Sequence, residues 1–85
     1  MISYKISPEH RDASQERFRT MGEGRPAGVK ELGHWQSVTQ LEGWALVEAD
    51  DSQELFKALR VWTNLNVNQI TPVLDQAGLE KAIGG

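Results

Sequence analysis

The chain has no cysteine, so neither a disulfide nor a thiolate metal site can form within its 85 residues. It is also short, with room for one domain. A chain of this size buries only roughly 60% of the surface its unfolded form exposes. Small domains compensate with disulfides, metals or partners. With cysteine missing, self-association is the economical supplement, and a homodimer is expected. Long apolar runs are missing too, and none approaches the roughly 20 residues that cross a bilayer. The opening Met1-Ile2-Ser3-Tyr4-Lys5 lacks the apolar stretch of a signal peptide. No membrane association and a cytoplasmic location are therefore expected, and the lack of cysteine suits that compartment. Basic clusters are scarce. Net charge is −3, and Arg11, Arg17 and Arg19 alternate with Glu9, Asp12 and Glu16. That pattern reads as a solvated helix face, and no nucleic-acid partner is expected.

Several chemistries lack their signatures. His10 and His34 are the only histidines and stand far apart, without the His-x-His or His-x-x-x-His spacing of a metal site. No metal is expected, and no cofactor is called for. Gly22-Glu23-Gly24-Arg25-Pro26-Ala27-Gly28 is glycine-rich but leads into a strand rather than a helix, so it reads as a connector and not a phosphate cradle. No nucleophile-elbow motif supports covalent catalysis.

What is present reads as an α+β domain. Ile2, Tyr4 and Ile6 alternate with Ser3 and Lys5, the period of a strand with one buried face. Ser7-Pro8 reads as a helix start, with Glu9 placed where the helix dipole favours a negative charge. The helix is expected to run to about Met21 on a thin stripe of Ser14, Phe18 and Met21, and to stop at Gly22. Residues 29–38 form a second, irregular strand, in which Gly33 suggests a bulge. Thr39 to Glu42 connects it to the clearest strand, 43–49. There Trp44, Leu46 and Glu48 face one way, and Ala45, Val47 and Ala49 the other. A strand apolar on both faces belongs in the middle of a sheet. Asp51-Ser52-Gln53-Glu54 fits a capping box. It opens a second helix with Leu55, Ala58, Leu59, Trp62 and Leu65 on one stripe. Residues 67–74 return as a fourth strand, with Pro72 marking a sheet edge. The expected domain spans residues 1–74, and the tail 75–85 adds a helical turn or two.

The order βαββαβ with right-handed crossovers gives a ferredoxin-like fold, a four-stranded antiparallel sheet with two helices on one face. The other face keeps apolar side chains uncovered, which usually marks an interface. Pro8-Glu9-His10-Arg11, Gly33-His34-Trp35, Leu46-Val47-Glu48-Ala49-Asp50-Asp51, Trp62 and Pro72-Val73-Leu74 together resemble a small-protein family known only as a domain of unknown function, within the dimeric α/β-barrel superfamily. The resemblance implies that two subunits pack sheet against sheet into a barrel, each with a pocket between helices and sheet. The superfamily's relatives include cofactor-independent monooxygenases of polyketide-like aromatics, muconolactone isomerases, haem enzymes and effector-binding domains. The haem ligand has no matching position in this sequence. A fold shared so widely does not choose a reaction.

The candidate pocket residues are Tyr4, His34, Trp44, Glu48 and Trp62. Trp35, Trp44 and Trp62 either line an aromatic pocket or fill the core. Glu48 stands out as a carboxylate on an otherwise apolar strand. A hairpin register with Val38 opposite Trp44 sets His34 opposite Glu48, close enough for a His–Glu dyad acting as a general base. The plainer reading lets Glu48 reach solvent or pair with a lysine or arginine, and a bulge at Gly33 would break the register. Three functions follow from these residues. The first is a dimer binding a small apolar or aromatic ligand between helices and sheet. The second is a cofactor-independent oxygenase or isomerase using His34 or Glu48 as base. The third is a structural dimerisation module without a ligand.

Overall fold

The computed structural model describes residues 1–22 and 24–84. Glu23, in the glycine-rich connector, and Gly85, the last residue of the tail, lie outside them. The described residues form an α+β fold of four strands and three α-helices. In order these are β1 (Ile2–Ile6), α1 (Arg11–Met21), β2 (Val29–Gln36), β3 (Glu42–Ala49), α2 (Ser52–Arg60), β4 (Asn66–Ile70) and α3 (Gln76–Gly84). All neighbouring strands are antiparallel, in the order β2-β3-β1-β4. None of these helices is long and apolar enough to cross a membrane.

Local chemistry accounts for most element ends. Pro8–His10 forms a single 3-10 turn before α1, so the helical segment starts where Ser7-Pro8 indicates, though its first turn is tighter than an α-helix. Ser7 does not cap the backbone; its hydroxyl pairs instead with His10 Nδ1 at 3.1 Å. Gly22 ends α1 at φ 65°, a backbone angle glycine adopts without strain. Asp51 caps α2, its Oδ1 accepting from Glu54 N at 2.9 Å. The fourth strand is shorter than the sequence pattern suggests and stops before Pro72, which cannot donate to the ladder.

One face of the sheet carries Ile2, Tyr4 and Ile6 from β1 and, directly beside them, Gly43 and Ala45 from β3. Asn66, Asn68 and Ile70 of β4 pair with the same β1 residues and share that face. Helices α1 and α2 lie on it. The core is small: Ile2, Ile6, Val29, Ala45, Ala58 and Trp62 are its buried apolar residues. The helix α1 is shallowly seated, with Ser14 buried while Phe18 and Met21 stay about half exposed. Among the described residues, no helix lies against the opposite sheet face. Trp35 and Trp44 sit directly opposite one another there, 56% and 38% exposed.

Candidate functional site

The site begins with a one-residue irregularity in β2. Glu31 pairs with Val47, but Gly33 pairs with Leu46, so Leu32 is the extra residue of a β-bulge. In a regular strand Glu31 and His34, three apart, would point to opposite faces. The bulge turns both toward the helices, beside Val47 and Ala45. Glu31 Oε1 then lies 4.0 Å from His34 Nδ1 and 3.6 Å from Nη2 of Arg25. The Arg25 and Glu31 side chains are both largely buried.

Tyr4 completes the group from two strands away. Its ring crosses β3 above Gly43, and its hydroxyl lies 2.7 Å from His34 Nε2. The crossing requires a flat floor. A side chain at Gly43 would drive its Cβ into the Tyr4 hydroxyl oxygen, and the neighbouring floor residue, Ala45, is fully buried. With the Glu31 carboxylate beside Nδ1, the imidazole proton is favoured on that nitrogen. Nε2 then accepts, and the Tyr4 O–H donates to it. The rings of Tyr4 and Phe18 both meet the imidazole edge-on, at centroid distances of 5.8 and 6.1 Å.

Tyr4, Phe18, Arg25 and His34 line a cavity of about 120 Å³ between α1, the sheet and the turn after α2. Ile2, Ile6, Phe18 and Trp62 give it apolar walls. Tyr4, His34 and Arg25 gather polar atoms on one side, and Ser14, Gln15, Gln36, Asn66 and Asn68 complete the lining. Three of the lining amides already have partners: Asn68 Nδ2 donates to Asn66 Oδ1, and Gln15 Nε2 to Gln40 Oε1, both at 2.7 Å. An apolar chamber with a few convergent polar atoms is the usual form of a small-molecule site.

Tyr4, His34 and Trp62 thus come together in one cavity. Two sequence candidates do not join them. Trp44 and Glu48 belong to the opposite sheet face, Glu48 across from Lys30 and Trp44 across from Trp35. The His34–Glu48 dyad does not form, because His34 pairs with Ala45 rather than Glu48. The hairpin loop occupies residues 37–41, with Gln40 at φ 72°, and so shifts the register by three residues from one with Val38 opposite Trp44. An odd shift also exchanges the two faces.

The sequence reading missed Arg25 and Glu31. Arg25 lay in the connector. Glu31 stands two residues before Gly33, the position suspected of a bulge, so its signal was present. The family comparison covers residues 1–85 in full. The chain belongs to the DUF3303 family. That family is described as a domain of unknown function, so its description assigns no reaction to the cavity. No curated protein and no solved structure matches the chain. The function of this DUF3303 domain must therefore be argued from the Tyr4–His34–Glu31 group and its chamber.

Proposed function

We propose that this DUF3303 domain is a cytoplasmic, ferredoxin-like dimeric α/β-barrel protein that binds a small apolar or aromatic ligand bearing one hydroxyl group, which donates to the Tyr4 oxygen. The observation that carries this reading is the apolar chamber closed at one side by the Tyr4–His34 hydrogen bond. Its volume of about 120 Å³ is in the range of an engineered ~150 Å³ cavity that takes benzene, so a single ring is the size of ligand that fits. The apolar walls take up the ring. The Tyr4 hydroxyl, already oriented by His34, holds the polar end. Strand order supports the ferredoxin-like assignment: β1 and β3 are central, β2 and β4 lie at the edges, and each βαβ unit is split by a strand of the other. Dimerisation is supported by the helix-free sheet face, where Trp35 and Trp44 form an exposed aromatic pair. Lys30 and Glu48 share that face and offer both signs of charge to a second copy.

A specific observation favours an enzymatic second reading. The chain Glu31–His34–Tyr4 has the order of an orienting carboxylate, an imidazole and a hydroxyl facing the cavity. In a cofactor-independent oxygenase or isomerase, His34 through Tyr4 removes a proton from a phenol or an enolisable carbon.

Native mass spectrometry of freshly purified protein tests the binding reading. The expected result is twice the chain mass plus a small adduct, lost on denaturation. An empty monomer that also takes up no phenol would rule out the proposal.

A further inference from the structure

The C-terminal helix and the outer side of α2 each leave apolar side chains uncovered, and they complement one another. We propose that α3 is an exchange arm: in the dimer, each copy seats Leu79 and Ile83 in the groove between α2 and β4 of the other. This rests on the reading that two copies associate.

The arm is evident in the molecule's dimensions. Its radius of gyration is 14.3 Å and its long axis 48 Å, whereas a compact chain of this length has a radius of about 12 Å. From Thr71 to Gly84 every residue except Gly78 is exposed. The helix is nevertheless well formed, with Asp75 Oδ1 accepting from Gly78 N at 2.7 Å. Leu79 and Ile83 stand one turn apart on the same side. At 100° per residue, Asp75 and Glu80 flank that pair, while Lys81 lies on the far side. A nine-residue helix with an uncovered apolar stripe has little stability of its own in water.

The groove is about 370 Å³, walled by Leu55, Phe56, Leu59 and Ile70. Phe56 is 66% exposed, a poor place for an aromatic ring unless something covers it. Arg60 stands on its rim, and Lys57 lies beyond Arg60 on the same side of α2. An apolar stripe edged by Asp75 and Glu80 therefore meets an apolar groove edged by Arg60. Both signs match.

Return of the arm to its own groove is opposed at the end of β4. Thr71 N donates to Met1 O, and the Met1 amino group donates to Thr71 O, both at 2.8 Å. These two bonds keep the chain in line with the strand, and Pro72, with its fixed φ, follows at once. Reach favours a second copy. Residues 71–75 extend at most about 17 Å, and the helix adds about 13 Å. Two paired sheets lie about 10 Å apart, and a helix layer lies about another 10 Å beyond. The arm is long enough to pass its partner's sheet and reach the helix layer.

The absence of cysteine makes the test direct. Full-length Phe56→Cys and Ile83→Cys chains are prepared separately, mixed and mildly oxidised. Both positions are exposed, so folding is not at issue. The mixture is expected to yield at least about tenfold more disulfide-linked dimer than either variant alone. If the mixture is a dimer by native mass yet shows no such excess, the arm inference falls and the sheet-face reading stands. A doubly substituted chain that links only within itself also overturns the exchange. A monomer in every sample would overturn both.

Discussion

Replacing Gly43 by valine is expected to lower the unfolding free energy by about 1–3 kcal/mol, the usual cost of forcing atoms into a packed site. It is also expected to abolish binding in the cavity. Any Cβ at position 43 runs into the Tyr4 hydroxyl oxygen and Tyr4 Cζ, and meets the carbonyl oxygen of Trp35 at 2.8 Å. The tyrosine can swing aside, but only by giving up its bond to His34 Nε2. The third neighbour is backbone of the adjacent strand and cannot move without loosening the β2–β3 ladder. Valine otherwise favours strands, so intrinsic propensity alone predicts stabilisation. The two arguments have opposite signs, and urea unfolding decides between them through the transition midpoint. Gly84→Ala is the control, because a Cβ there meets nothing within 4 Å.

Trp44→Lys is expected to weaken dimerisation by about 100-fold, in line with the loss of a tryptophan hot spot. The residue lies on the helix-free sheet face beside Trp35, so a lysine there keeps its charge in water in the monomer and the fold survives. Facing a second sheet, the same charge would be stripped of water without a partner. Sedimentation equilibrium across protein concentration reads the change. An unaltered dimer mass with an intact circular dichroism spectrum would show that this face is not the contact.

The elements with a strict period or a cap could be read from the residues. Ile2, Tyr4 and Ile6 of β1 share the helix-facing side. Asp51 caps α2, and Gly22 ends α1. The two faces of β3 are also as its alternation indicates. The site depended on features of a different kind. Which residue faces His34 is decided by the length of a hairpin loop, and the side chains of residues 37–41 do not announce it. Gln40 takes a positive φ without being glycine, so the turn leaves only a weak trace in the sequence. The bulge at Leu32 was indicated by Gly33, but its consequence needs the pairing on both sides. Only then does Glu31 replace Glu48 as the carboxylate beside His34. Arg25 reaches the cavity through loop geometry that has no period at all.

The most direct measurement of the central claim is the two-bond ¹H–¹⁵N spectrum of the histidine side chains during titration with phenol. His10, bonded to Ser7 and absent from the cavity lining, serves as the internal reference. The account predicts that the His34 Nε2 resonance moves saturably, in the millimolar range or tighter for so small a ligand, while His10 stays fixed. It also predicts that Gly43→Val removes the response. A His34 resonance indifferent to phenol, or one that moves in step with His10, would contradict it.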